Sequence, residues 1–235
     1  MNIETILNQA IAKDTEERKS RESSGKFVPS LFGCCFRRQY WKRSKEPESN
    51  PIDERTWRVF KCGSLFHSFV GELVLSEYAE AKTEVRIETE DVLGYADIVI
   101  SEIDERVIEL KSMHSRGFWY LARQKDEKEE DFLARVKRDK LPHFLQCAWY
   151  GLQLKKECSI IYISKDDLCM LQFDFSHKEF EKNLEDELMF LNLHWKNGLP
   201  KAKPRAYINA KTGKSKECDY CAWQDLCKNI ENIKT

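Results

Sequence analysis

The sequence predicts an α/β fold, a mixed central sheet flanked by helices with further helical and cysteine-rich segments at both ends. Three observations carry this reading. Five short apolar runs of strand length lie between residues 84 and 173, two stretches of helical character separate the third run from the fourth, and long helical stretches stand before and after the set. Element by element, residues 2–18 space Ile3, Ile6, Leu7, Ala10 and Ile11 as one helix face, and a polar break at 20–25 follows. Residues 45–53 are rich in Pro, Glu, Ser and Asn and read as a loop. Residues 63–80 read as a helix with a wide apolar stripe of Leu65, Phe66, Phe69, Val70, Leu73 and Val74. Strands are expected at 84–89, 96–101 and 107–112, then a charged, exposed helix at 126–140. A second helix spans 142–154, with Pro142 at its start where proline is tolerated. Strands at 159–164 and 168–173 come next. Ser176 with Glu179 forms a capping box that opens a helix to about Asn197, and Gly198 ends it. There is no internal repeat and no low-complexity tract. The chain divides into an N-terminal helical extension (1–30), a segment with a first cysteine and basic and aromatic residues (31–62), a core (63–197) and a C-terminal cysteine segment (198–235).

Composition narrows the function classes. A chain of 235 residues can bury one good core. Charged residues make up 34%, yet the formal net charge is −1, so any polyanion must be held by local patches rather than a global field. No apolar run approaches the length of a membrane span, and the N-terminus lacks the hydrophobic stretch of a signal peptide. Nine cysteines, an odd number, argue against a disulfide framework. The expectation is a cytoplasmic protein whose thiols are free to bind metal.

Glu109-Leu110-Lys111 stands out by its setting. Glu80-Ala81-Lys82 has the same pattern by chance, but Glu109 follows Val107-Ile108 and trails Asp97-Ile98-Val99-Ile100, so it reads as part of a buried strand. Residues two apart on a strand share a face, so Glu109 and Lys111 point one way and Leu110 points into the opposite core. A carboxylate and an ammonium together, beside a second carboxylate on a neighbouring strand, outline a metal-dependent hydrolysis site. Asp97 and Glu109 are hard oxygen donors suited to Mg²⁺ or Mn²⁺, and the imidazole of His67 would favour Mn²⁺. Lys111, between two carboxylates, is expected to stay protonated and to stabilise transition-state charge. Taken singly, Asp97 and Glu109 would be surface acids and His67 a core histidine. Glu72, five residues beyond His67 on the same helix, could approach the metal, but reads first as an exposed acid.

Four segments in order resemble the motifs of one family. Gly63 to His67, Gly94-Tyr95-Ala96-Asp97, Glu109-Leu110-Lys111 and Gln146 to Tyr150 are similar to the Gly-x-x-x-His, Asp, Glu-x-Lys and Gln-x-x-x-Tyr motifs of the RecB-like branch of PD-(D/E)XK nucleases. Cys35-Phe36-Arg37 and Cys218-Asp-Tyr-Cys221-Ala-Trp-Gln-Asp-Leu-Cys227 extend the resemblance to the iron–sulfur CRISPR-associated and helicase–nuclease exonucleases of that branch. It spans residues 31 to 227. That family usually has Cys-Pro-Arg where this chain has Cys34-Cys35-Phe36-Arg37; Cys35 fits the spacing, and Cys34 stays open.

The resemblance implies a PD-(D/E)XK nuclease core over residues 63–197, with N- and C-terminal segments joined by a four-cysteine cluster. It implies a metal-dependent DNA exonuclease acting on single-stranded or frayed ends, with a helicase or CRISPR adaptation protein as partner. It adds the backbone carbonyl of Leu110 to the metal ligands, and it gives Gln146 and Tyr150, four apart on one helix face, a part in positioning the strand or the lysine. Cys35, Cys218, Cys221 and Cys227 would hold a structural [4Fe–4S] cluster. Zn²⁺ also accepts four thiolates, but zinc sites usually show two Cys-x-x-Cys knuckles. Cys62, Cys147, Cys158 and Cys169 read as buried small hydrophobes. Arg37, Arg38, Tyr40 and Trp41 mix cations with aromatics and are the candidate nucleic-acid contacts. Lys201, Lys203, Arg205, Lys211, Lys214 and Lys216 form a second basic stretch with a solvated loop as its alternative. The competing function is a non-catalytic nucleic-acid-binding adaptor with a structural zinc.

Overall fold

A computed structural model describes residues 2–19, 23–101, 105–208, 212 and 215–233. Helix α1 (Ile3–Lys19) is followed by α2 (Phe36–Ser44) and the long α3 (Glu54–Glu77). Strands β1 (Lys82–Glu88), β2 (Leu93–Ile100) and β3 (Arg106–Met113) come next, then α4 (Ser115–Leu121), α5 (Glu129–Asp139) and α6 (Leu141–Leu154). Strands β4 (Glu157–Ser164) and β5 (Met170–Phe175) complete the sheet, and α7 (Glu181–Asn197) and α8 (Gln224–Ile233) follow. The sheet order is β1-β2-β3-β4-β5, antiparallel throughout except for the parallel β3–β4 pair. This is the mixed α/β sheet flanked by helices that the sequence predicts. No helix among the described residues is long and apolar enough to cross a membrane.

The sheet buries both faces unequally. One face carries the main core, in which α6 lays Phe144, Leu145, Cys147, Ala148 and Trp149 against Val107, Ile160, Tyr162 and Phe173. The other face carries a smaller core, where Val70 of α3 meets Ile98, Ile108, Leu110 and Ile163. Helix α6 is buried along most of its length because strands and helices cover it on every side. The capping box of Ser176 and Glu179 forms as expected, leading through a short 3-10 turn into α7, and Gly198 (φ 99°) ends that helix in a conformation open to glycine.

Helix α3 differs from the sequence reading in two ways. It begins at Glu54 rather than Gly63, because the Asp53 carboxylate accepts from the Thr56 N–H (2.8 Å) and caps it nine residues earlier. Its apolar stripe is not wholly buried. Val70 is inside and Phe66 and Val74 pack at the edge, but Leu65, Phe69 and Leu73 face solvent. Helix α4 has only seven residues and no signal in the periodicity. Among the isolated cysteines, Cys147 and Cys158 are buried as expected, whereas Cys62 and Cys169 are exposed.

Candidate active site and cysteine cavity

The sheet opens at one point, and the candidate residues gather there. Pairing of β2 with β3 runs from Ile100–Arg106 to Ile98–Ile108 and then stops, although β3 continues to Met113. Beyond that point the Asp97 carboxylate takes the place of a backbone acceptor, with its Oδ2 receiving the Leu110 N–H at 2.7 Å. The alternation of faces slips at the same place. Ala96 belongs to the α6-side core and Ile98 to the α3-side core, so the residue between them projects along the sheet into the gap. Across the hairpin, Glu84 lies opposite Asp97 in the register and adopts φ 51°, marking the same distortion on β1.

From β3, Glu109 and Lys111 both face α6, two residues apart on one side of the strand. Lys111 Nζ donates to Glu109 Oε1 at 2.5 Å and to Gln146 Oε1 at 3.1 Å. Tyr150, one turn further along α6, sets its hydroxyl against Gln146 and the Tyr95 backbone. Gly94 makes this approach feasible, since a Cβ there would come within 2.7 Å of the Tyr150 hydroxyl and 2.8 Å of Pro29. On the other side of the gap, His67 Nδ1 of α3 stands 3.4 Å from Asp97 Oδ1. Asp97 and His67 also line a cavity of about 490 Å³ with Ser64, Ser68, Glu72 and Glu84. His67, Asp97, Glu109, Lys111, Gln146 and Tyr150, distant in sequence, are thus joined in one linked set. Glu72 and Glu84 at its edge gave no signal in the motif order, although Glu72 is five residues past His67.

Charge in the site is unbalanced. Burial and then the Asp97 charge push the Glu109 carboxyl up to about 8 against the opposing pull of Lys111. Burial works against the Lys111 ammonium, but Glu109 and Asp97 outweigh it and raise its pKa, so Lys111 holds its proton at neutral pH. His67 is raised as well, because its hydrogen bond to Asp97 and the Asp97 charge exceed the cost of burial. Glu109 is only 2% exposed, and its Oε2 is buried with no hydrogen-bond partner. A buried carboxylate oxygen without a partner is costly, and a cation would relieve it. By chemistry the donors Asp97, Glu109 and His67 suit a hard divalent ion, although as they are placed no three such side chains among the described residues stand close enough to hold one.

A second convergence lies at the chain ends. Cys35, at the start of α2, and Cys218, Cys221 and Cys227, around the start of α8, line one cavity of about 260 Å³ with Arg37, Arg38, Trp41 and Glu217. The thiols are close enough to affect one another: after burial, the charges of Cys221, Cys35 and Cys227 all push Cys218 up. Two N–H groups already point at sulfur, Arg37 Nη1 at Cys227 Sγ (3.1 Å) and the Lys203 amide at Cys35 Sγ (3.4 Å). Four cysteine sulfurs around one cavity, with donors directed at two of them, fit a thiolate-bound metal group. Among the described residues no three His, Cys, Asp or Glu side chains stand close enough to hold an ion as they are placed. Cys34 is outside this lining. It is buried, its thiol is pushed up to about 12 by burial and then by the Glu217 charge, and its carbonyl accepts from Arg205 Nε at 2.8 Å.

What holds that cavity is a pair of buried carboxylates that the sequence did not single out. Glu217 accepts from the amides of Cys35 (2.6 Å), Arg205 (2.9 Å) and Ala206 (3.1 Å), with the Arg38 guanidinium at 3.4 Å. Glu187 of α7 accepts from both terminal nitrogens of Arg205 (2.8 and 2.7 Å) and from the Gly33 amide (3.1 Å). The Arg205 guanidinium also sits 3.6 Å from the Phe36 ring centroid.

These contacts correct the expected nucleic-acid interface. Arg37 and Trp41 are buried: Arg37 donates to the Pro200 carbonyl at 2.8 Å, and the Trp41 ring packs against Trp223 with centroids 6.0 Å apart. Arg38 is committed to Glu217, and half-buried Tyr40 packs on Trp195 at 5.4 Å. Arg37 and Trp41 thus serve the interior, while Arg38 and Tyr40 stay partly exposed beside them. Arg205 of the second basic stretch is half-buried and paired with Glu187, and Lys211 and Lys214 lie outside the described residues.

No protein-family model and no curated protein matches the chain. Among solved structures, that of SSO0001 matches with a TM-score of 0.54 at 18% identity, over 94% of this chain and 96% of that one. An alkaline exonuclease from Laribacter hongkongensis (LHK-Exo) gives a TM-score of 0.48 at 10% identity, over 74% of this chain and 90% of that one. Its complex with dAMP gives 0.47 at 13% identity, over 74% and 91%. The likeness to SSO0001 runs through nearly the whole of both chains and shows a shared fold.

Proposed function

We propose that this chain is a metal-dependent nuclease of the PD-(D/E)XK type that hydrolyses phosphodiester bonds in DNA, acting from single-stranded ends. The observation that carries the reading is the splayed end of the β2–β3 pair, where Asp97, the partnerless Glu109 oxygen and protonated Lys111 meet. Asp97, Glu109 and His67 would hold Mg²⁺ or Mn²⁺. The Leu110 N–H points at Asp97, and the carbonyl of a strand residue projects to the same edge as its N–H, which supports that carbonyl as a further ligand. When bound there, such an ion would supply Lewis-acid chemistry for phosphodiester hydrolysis.

The chain's own residues divide the remaining work. Lys111 keeps its proton, so it serves as a fixed positive charge for the phosphate as negative charge develops. Gln146 accepts from Lys111 and fixes the direction of its ammonium, and Tyr150 holds Gln146. Cys35, Cys218, Cys221 and Cys227 would hold a [4Fe–4S] cluster, with Zn²⁺ as the alternative. Its role is to join α2 to the C-terminal segment, away from the hydrolytic chemistry.

End-labelled single strands, incubated with Mg²⁺, Mn²⁺ or EDTA, test the reading. Cleavage should require the metal, and Glu109→Gln, Asp97→Ala and Lys111→Ala should each lower the rate by roughly 10²–10³-fold or more. Their losses should not add, because the three groups act on one phosphate. A Glu109→Gln protein that still cuts at the wild-type rate would remove this site from the reaction.

A further inference from the structure

Helix α4 begins two residues after β3 ends and four after Lys111, so the catalytic strand delivers the chain directly into it. It anchors to the main core through Phe118 and Leu121. Between these anchors it turns two large aromatic side chains outward, with Trp119 56% and Tyr120 67% exposed. A single exposed apolar residue is ordinary, but an adjacent Trp and Tyr left in water on the helix that follows the Glu109–Lys111 strand are not. The surrounding composition is polarised as well. Residues 112–125 contain no Asp or Glu in a chain with 40 acidic residues, and they carry His114, Arg116, Arg123 and Lys125. Asp166 meets the start of the helix, accepting from the Ser115 amide at 3.2 Å with His114 Nε2 at 3.8 Å. The Arg116 guanidinium stands 5.8 Å from the Tyr120 ring centroid, while Arg123 is turned towards Glu129 at 3.0 Å. The Trp119 ring meets Phe118 edge-on, with centroids 5.4 Å apart, so its position is supported from below.

We infer that the exposed edge of α4 is a stacking platform for unpaired nucleotides of the strand being cut. Aromatic faces accept any base, and nearby cations follow the phosphates without reading sequence. A paired duplex hides its base faces, so the platform selects single-stranded or unwound substrate. This deepens the nuclease proposal and rests on it. It also moves the nucleic-acid contact away from Arg37 and Trp41, whose side chains are buried.

The test is fluorescence anisotropy in a Glu109→Gln background, with a labelled oligo(dT) strand and a base-free abasic strand of equal length as probes. Trp119→Ala and Tyr120→Ala should each raise the Kd for oligo(dT) by roughly fivefold to a hundredfold and leave the abasic strand unchanged. Trp119→Phe should restore most of the loss. The salt dependence should stay as it was, because no phosphate contact is removed. Unchanged oligo(dT) affinity in the double variant, or an equal loss on the abasic strand, overturns the platform. The nuclease reading fails separately: it falls if protein with Trp119, Tyr120 and Glu109 intact neither binds nor cuts the strand. If that protein binds and cuts while the Trp119 and Tyr120 variants match it, only the platform is lost.

Discussion

Glu217 touches no candidate catalytic group, yet it is the residue on which the cysteine lobe depends. It is almost fully buried and accepts from three backbone amides, with the Arg38 guanidinium beside it. Glu217→Ala leaves those donors and Arg38 unsatisfied in the interior, and loss of about 3–5 kcal/mol is expected. Urea denaturation measures it, and a midpoint within error of wild type would contradict this role. Cys34 gives the second prediction at this scale. With its thiol pushed up to about 12 it stays protonated at neutral pH, and burial shields it. Brief alkylation of the native protein should therefore label exposed Cys62 and Cys169 and spare Cys34, as peptide mass mapping would report.

Helices and strands contribute by where they stop. Helix α3 begins at Glu54 under the Asp53 cap and carries His67 to the candidate site, and Asp53→Ala should cost roughly 0.5–2 kcal/mol through loss of the cap. The gap at the candidate site exists because the β2–β3 ladder ends at Ile98–Ile108, next to the break in β1 at Glu84, whose φ is 51°. Gly94 is the tightest point of this arrangement. Gly94→Ala would drive a Cβ into Tyr150 and Pro29, with an expected cost of about 1–3 kcal/mol from overpacking. Because Tyr150 holds Gln146, that variant should also lose cleavage beyond what its lower stability explains. Rates measured well below its unfolding midpoint separate the two effects.

Two centres organise the molecule. One lies where the sheet splays between α3 and α6, and the other where α2 meets the C-terminal segment. Protein purified without oxygen should be brown and contain iron and acid-labile sulfide. Cys35→Ser, Cys218→Ser, Cys221→Ser and Cys227→Ser should each bleach it and lower the unfolding temperature, because each contributes to the same cavity. Cys34→Ser should leave the colour in place, since Cys34 lies outside the lining. A colourless protein with one zinc per chain would replace the cluster and keep the joint between the chain ends.

Much of this was legible in the sequence, and for definite reasons. Strand length, β-branched content and the period of α6 and α7 are local properties, so the mixed α/β fold followed from pattern alone. Glu109 and Lys111 share a face because strand geometry requires it, and Gln146 and Tyr150 share one because helix geometry does. Tertiary structure decided what those local rules cannot express. Whether an apolar stripe is covered depends on what packs against it, so Leu65, Phe69 and Leu73 stayed exposed although their spacing promised a core. Arg37 and Trp41 have the composition of a nucleic-acid surface, and they are buried because distant Pro200, Cys227 and Trp223 close over them. Glu187 and Glu217 look like ordinary surface acids in the chain. Their burial beside Arg205 and three backbone amides depends on residues more than 150 positions away in the case of Gly33 and Cys35, a separation that no local pattern records.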